Sequence, residues 1–448
     1  MDQLKSFAIF GLWGERNYRL NFDQGNLIIV GENGSGKTSV LRILFFCLAC
    51  NWGELSKENF KKIEITIGEE TQSINYNQIG DAQLYEISSD WIKKLPIYLR
   101  RRVESIYEQG YYVDEILELF QDSGLPERYY KDNIEYLQQI SENIPEEMKK
   151  ITHWLKEKLQ YQIIYYPTYR RYENGLKQQD ATYNNTFDRR KTEQNKRSLE
   201  VAQSGMSDVQ YKIQKTLDSI ERAYNITSSQ LNLSCFKGIL KQDFKKVERI
   251  SSEQANPEYI DTVFDSISGS SLLEEDVAQL KDRLLNILEK DSVEEEYDKI
   301  VIYFYQMLLQ RYEKLKEKEK GLERFFYACN KYLTNKKFEY IPQSFGYSIM
   351  IDTHTGERRS MDIEQLSSGE KQIVALFCYL YLYDVAPQIV IIDEPELSLS
   401  VEWQERILED VLEGPMCRAI VVATQSPFVY DNSLSTYAHG IEEFLVLE

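Results

Sequence analysis

Gly31-Glu32-Asn33-Gly34-Ser35-Gly36-Lys37-Thr38 is the stretch on which the fold turns. It follows the apolar run Leu27-Ile28-Ile29-Val30 and precedes Val40, Leu41, Ile43, Leu44 and Phe45, so a buried strand passes through a glycine-rich turn into a helix. Gly31, Gly34 and Gly36 let the backbone aim its N–H groups at phosphate oxygens, and the helix dipole favours an anion there. Lys37 is expected to reach the β- and γ-phosphates and Thr38 to ligate Mg²⁺, with Asn33, Ser35 and Ser39 completing the binding set. The cofactors this predicts are ATP and Mg²⁺.

Two later segments fit the same chemistry. Ile389-Val390-Ile391-Ile392-Asp393-Glu394 is a continuous apolar run ending in two acids, as in a strand buried on both faces of a parallel sheet. Asp393 at the strand's end suits the outer Mg²⁺ shell, and Glu394 suits the base that polarises an attacking water. Leu366-Ser367-Ser368-Gly369-Glu370 opens a helical stretch, so Ser367, Ser368 and Gly369 offer helix N-terminal N–H groups to an anion. The phosphate loop and the acidic strand end belong to one α/β domain folded from both ends of the chain.

These motifs together resemble the ABC-type ATPase head of SMC and OLD proteins, a mixed, three-layered sheet carrying a phosphate loop. Glu394-Pro395-Glu396-Leu397-Ser398-Leu399 is similar to that family's loop after the acids, and Ala423-Thr424-Gln425-Ser426-Pro427 to its last motif. The resemblance implies that Ser367 to Gly369 of a second molecule close over the γ-phosphate, so that a homo-oligomer, dimer-based or a higher ring, is needed. Gln425 stands where the family usually has histidine, and Ser398 and Ser400 replace histidines after Glu-Pro-Glu-Leu. An amide can hydrogen-bond a phosphate oxygen but cannot carry a positive charge or shuttle a proton, so slow hydrolysis is expected.

Tyr165-Tyr166-Pro167-Thr168-Tyr169-Arg170-Arg171 is similar to a string in ATPases of the Septu anti-phage systems and, less closely, of PARIS. Gly205 to Val209 and Pro427 to Asn432 share that resemblance. It implies an ATP-hydrolysing sensor and scaffold in a two-component defence system, controlling a separately encoded effector nuclease, HNH-type by the same resemblance. Two other readings stand beside it: an SMC-like repair ATPase that grips DNA ends itself, and a nucleotide-binding assembly with negligible turnover. Gln160, Gln162 and Gln178 are equal candidates for the glutamine that ABC proteins carry in a loop near the metal.

Composition narrows the setting. A net charge of −19 repels phosphate backbones overall, so broad nucleic-acid binding by the whole surface is not expected. One basic run, Arg189-Arg190-Lys191 with Lys196-Arg197, lies in an aperiodic polar stretch that reads as a mobile loop. The apolar runs Ile43 to Cys50 and Val374 to Tyr383 fall far short of the roughly 18 residues of a membrane span, and no secretory leader is visible. A cytoplasmic location is therefore expected. Cys47 and Cys50 form a lone C-x-x-C inside the helix after the phosphate loop and read as buried thiols.

The head is expected over residues 1–90, 160–172 and 346–448, with a helical accessory lobe over 91–159 and a helical insertion over 173–345. Ile63, Ile65, Ile67 and Ile74 alternate as head strands. Val301, Tyr305, Leu308, Tyr312, Leu315, Leu322, Phe326, Cys329 and Leu333 recur four and three apart, broken only by Glu319. That predicts a helix over 301–333, about 50 Å long, serving as a short intersubunit stalk. Its partner is either the helix over 272–289 or the same helix in a second protomer.

Overall fold

Continuous apolar runs and alternating ones sort into two kinds of sheet. The computed structural model describes residues 3–80, 87, 89–96, 99–100, 103, 113–121, 131–168, 198–200, 206–247, 250–251, 254–265, 274–288, 295–352, 356–382 and 386–446. It divides into two units, Met1–Val209 with Asp362–Glu448, and Gln210–Met361. Up to residue 240 the strands and longer helices are β1 (Leu4–Leu12), β2 (Arg16–Asn21), β3 (Leu27–Val30), α1 (Lys37–Leu48), β4 (Lys62–Ile67), β5 (Glu70–Asn75), α2 (Val113–Gln121), α3 (Lys131–Asn143), α4 (Glu146–Lys158), β6 (Gln162–Tyr166), β7 (Ser198–Glu200) and α5 (Met206–Leu240). Then follow α6 (Pro257–Asp265), α7 (Glu274–Leu288), α8 (Glu296–Asn330), β8 (Lys336–Ile341), β9 (Gly346–Asp352), β10 (Arg358–Met361), α9 (Ser368–Leu382), β11 (Gln388–Asp393), α10 (Val401–Leu412), β12 (Cys417–Thr424) and β13 (Ala438–Gly440).

In the first unit the apolar runs form a parallel sheet in the order β13-β3-β12-β11-β6-β7. Every residue of β6 and β11 is buried, which is why neither alternates. The alternating strands form a separate antiparallel sheet, β2-β1-β4-β5, with Ile63, Ile65, Ile67 and Ile74 facing inward. The parallel and antiparallel strands expected of an ABC-type head are thus both there, divided between two sheets. Helix α1 is buried along most of its length, and its side chains join those of both sheets in one hydrophobic cluster. Phe45 on α1 stacks on Tyr165 of β6 at 4.9 Å. Burial pushes the Cys47 thiol up, away from reactivity, and Cys50 lies just past the helix in the left-handed region rather than inside it.

Helices α2 to α4 carry their apolar stripes into the same cluster, through Ile116, Phe120, Leu137 and Leu155 among others. Two tryptophans also hydrogen-bond across to α4 or from it: Trp52 Nε1 donates to Thr152 Oγ1 at 3.0 Å, and Trp154 Nε1 to Glu70 Oε2 at 2.7 Å. Among the described residues, no helix is long and apolar enough to cross a membrane.

In the second unit α8 supplies the spine. It begins five residues before the predicted start and ends at Asn330. Val301, Tyr305 and Leu308 pack with Ile260, Val263, Phe264, Leu284 and Ile287 of α6 and α7, and Phe264 stacks on Tyr305. Of the two partners left open by the sequence, the helix over 274–288 covers this part of the seam within one chain. Toward its end, Phe325 and Phe326 pack on Phe338 of the antiparallel sheet β10-β9-β8. Glu319, the break in the seam, accepts a 2.9 Å bond from the Tyr340 hydroxyl of β8. On α5, Ile226, Leu233 and Leu240 recur at sevens and are exposed.

Candidate functional site

At the carboxyl ends of β3, β11, β12 and β6 the parallel sheet brings four loops together, the place where open parallel sheets collect ligands. The phosphate loop leaves β3 at Gly31, whose N–H donates to Thr424 O. Gly34 and Gly36 have φ of 80° and 104°, values that L side chains rarely adopt, so the turn into α1 depends on glycine at both. Gly36 has a second constraint, because a Cβ there would lie 2.8 Å from the Trp13 ring. Arg16 and the Tyr18 hydroxyl, both from β2, each donate to Ser35 O and fasten the loop from outside.

Lys37 opens α1 with its side chain turned back into the loop, where Nζ donates to Gly31 O at 2.7 Å and Glu32 O at 3.0 Å. It is only 5% exposed. Among the described residues its hydrogen bonds run to these two carbonyls, and a buried ammonium so held is poised for an anion, since dipoles compensate a full charge only in part. Ser35 Oγ is likewise buried, without a hydrogen-bond partner among the described residues, inside the same turn. Both observations fit a phosphate. Ser39 sits in the first turn of α1, beside Thr38.

The acids behave differently from one another. Asp393 ends β11, is buried, and accepts from Thr38 Oγ1 at 3.2 Å on one oxygen and from Thr168 Oγ1 at 2.7 Å on the other. Burial pushes its carboxyl above the ordinary range, opposed by the bonds from Thr168 and Thr38 and the field of Lys37. A hydroxyl and a carboxylate converging from α1 and β11 are hard oxygen donors, the donor set that suits Mg²⁺. Glu394 is more open and takes up φ of 53°, a left-handed backbone that costs glutamate of order 1 kcal/mol. Its N–H donates to Ala423 O at 2.8 Å, which holds the strained residue against β12.

Gln425 bridges the loops. Its Nε2 donates to Asn33 Oδ1 at 2.8 Å and to Glu394 Oε1 at 3.0 Å, tying the phosphate loop to the candidate base. The Glu396 carboxylate braces the same region, accepting from Gln425 N and Thr424 Oγ1, both at 2.8 Å.

Ser367, Ser368 and Gly369 lie at the start of α9. Ser367 N–H and Oγ both donate to Glu370 Oε2, at 2.7 and 2.8 Å, which is a helix-capping arrangement. A Cβ on Gly369 would lie 2.5 Å from Ser398 O, so only glycine lets the loop after β11 pass this close to α9. Among the described residues, the bonds of this segment run to its own helix and not to the phosphate loop. The structure therefore joins Asn33, Lys37, Thr38, Asp393, Glu394 and Gln425 through hydrogen bonds in one chain, and among the described residues shows none from Ser367 to Gly369 to them.

Sequence reasoning missed Thr168, Glu396 and Trp13. Thr168 lay within a quoted string, but its contact with Asp393 spans the chain and has no periodic or spacing signal. Of the glutamine candidates, Gln162 pairs in register with Gln388 at the opposite end of the strands from the site. Gln160 precedes it at that same end, and Gln178, Arg170, Arg171 and the basic run Arg189 to Arg197 lie outside the described residues.

Residues 27–431 match the sequence profile of the family described as "AAA domain, putative AbiEii toxin, Type IV TA system". No curated protein matches the sequence. Among solved structures, the Smc head domain with an extended coiled coil bound to the C-terminal domain of ScpA, from Pyrococcus furiosus, is 14% identical over 96% of this chain and 92% of that one, with a TM-score of 0.36. The Smc head domain with a coiled coil and joint from Pyrococcus yayanosii gives 14%, 96%, 94% and 0.32.

Proposed function

Because the chain belongs to this family of AAA domains, we propose that it is a Mg²⁺-dependent ATPase of the ABC, SMC-like kind, acting as the nucleotide-gated sensor and scaffold of a two-component anti-phage system. The observation that carries the ATPase reading is the convergence of Lys37, Thr38, Asp393, Glu394 and Gln425 on one phosphate loop. Lys37 and the N–H groups of the loop bind the phosphates, with Ser35 Oγ inside the same turn. Thr38 and Asp393 would hold Mg²⁺, which when bound would neutralise part of the phosphate charge. Glu394 takes the proton from the water that attacks the γ-phosphorus as the bond to the β-phosphate oxygen breaks, releasing ADP and phosphate. Gln425 orients Glu394 as an amide, without the charge of an imidazolium, which supports slow turnover. The exposed ring of Trp13 beside Gly36 offers a face on which a purine can stack.

Ser367 to Gly369 of a second copy complete the site, so nucleotide binding and self-association are thermodynamically linked. A controlled effector nuclease in the second component is the finer part of the proposal, supported by the resemblance of Tyr165 to Arg171 to a string in Septu ATPases. The test is co-expression with the adjacent reading frame, followed by light-scattering mass with and without MgATP, for wild type and Lys37→Ala. A MgATP-dependent multimer that retains a nuclease, and is lost in Lys37→Ala, is the expected result. A monomer that binds DNA ends in the presence of ATP would overturn the scaffold role in favour of a repair ATPase.

A further inference from the structure

We propose that Thr168 is the positioning residue of the Mg²⁺ cradle, setting the orientation of Asp393 from the end of β6; this rests on the ATPase reading above. The two hydroxyls on Asp393 are not equivalent. Thr38 Oγ1 reaches Oδ1 at 3.2 Å, at the long limit of a hydroxyl bond, whereas Thr168 Oγ1 reaches Oδ2 at 2.7 Å, near the optimum. A cation shared by Thr38 and Asp393 must displace the hydrogen between them, so the weak bond is the one that yields. The strong bond, on the other oxygen, can persist in both states.

Three features make the Thr168 contact a fixed one. Asp393 is 3% exposed, so bulk water cannot readily substitute for a lost donor. Thr168 follows Pro167, whose ring fixes its own φ, and threonine is itself stiff at χ1. Finally, β6 pairs directly with β11, with Tyr166 opposite Ile392, so the donor and the acceptor leave adjacent strands at the same level. A carboxylate held on its far oxygen presents its near oxygen without first losing rotamer freedom, which is how supporting hydrogen bonds raise the affinity of metal ligands.

The experiment is calorimetric titration of ATP at a series of Mg²⁺ concentrations and in EDTA, for wild type, Thr168→Val and Thr168→Ser. Valine keeps the shape and removes the hydroxyl. The expected result is that Thr168→Val needs about tenfold more Mg²⁺ for half its gain in ATP affinity, that its affinity in EDTA equals wild type, and that Thr168→Ser restores the wild-type Mg²⁺ dependence. A wild-type Mg²⁺ dependence in Thr168→Val overturns the assignment, as does an equal loss of affinity in EDTA, which would mean general damage to the pocket. Should Thr168→Val fail to fold, Thr168→Ala is read by the same two criteria. Failure of wild type to bind ATP at all sinks the ATPase reading instead, and is recognised before any variant is made.

Discussion

Each unit of the molecule buries acids, and each satisfies them differently. Asp298 on α8 is 1% exposed and is met by the Arg283 guanidinium of α7, whose Nε donates to it at 2.8 Å while Nη2 also reaches Glu295 at 3.0 Å, so a full positive charge answers this buried anion. Asp393, nearly as buried, is met by two neutral hydroxyls; burial pushes its carboxyl up, and the bonds from Thr168 and Thr38 oppose that only in part. Glu319 falls between the two, bonded by the Tyr340 hydroxyl and also pushed up by burial. A buried acid whose charge is matched by the fold is structure; one held in place by hydroxyls beside a buried lysine is a site that a ligand completes.

This contrast can be broken at several points. Glu394→Gln removes the candidate base and keeps the shape, so turnover should fall about 10³-fold with ATP affinity unchanged, measured by phosphate release and calorimetry. Equal losses in both would remove Glu394 from the chemistry. In the other unit, Leu308→Ala should cost about 3 kcal/mol in denaturant unfolding, because Leu308 is fully packed between helices, and ATP affinity should not move. A matching loss of ATP affinity would mean that the two units share their energetics. Gln425→His restores a group able to carry charge beside Glu394, and an increase of about tenfold in turnover is expected; an unchanged rate would dissociate Gln425 from slow hydrolysis.

The smallest effect is set by pH. Glu319 has a folded pKa above its ordinary value of 4.5, so it holds its proton more tightly when folded. Its contribution to stability is therefore greatest below the ordinary carboxylate range and is lost as pH rises through the folded pKa. Glu319→Gln cannot ionise and still accepts from Tyr340, so it should melt about 1–2 °C above wild type at neutral pH. That gap should close toward about pH 4, as read by thermal melts across the range.

The nucleotide end was legible because its signals are local. Glycine at 31, 34 and 36 and the apolar run into Asp393 announce strand and turn without reference to anything distant, and the alternating Ile63, Ile65 and Ile67 do the same for β4. The long helix was legible through its period, including Glu319 as a break, but the reason for that break, Tyr340, sits on a strand the helix period says nothing about. Its partner on α7 was one of two options, since apolar spacing records that a face is covered and not by what. Thr168 and Glu396 were invisible for the same reason: a hydroxyl or carboxylate that braces a loop from another strand leaves no pattern in its own segment.

One feature of the parallel sheet bears on how the chain is made. Strand β3, which launches the phosphate loop, is paired on one side with β12 and on the other with β13. Both arrive only after residue 416. During synthesis, residues 27–30 therefore wait through nearly the whole chain with both strand edges open, a contact pattern of high sequence separation that folds slowly and invites mispairing. Nucleotide cannot be gripped by a half-made chain, and a product truncated before β12 would carry an intact glycine-rich loop on a strand with nothing to hold it. ATP binding is thus a late event in the folding of this sheet, and it reports that β12 and β13 have been made and have closed on β3.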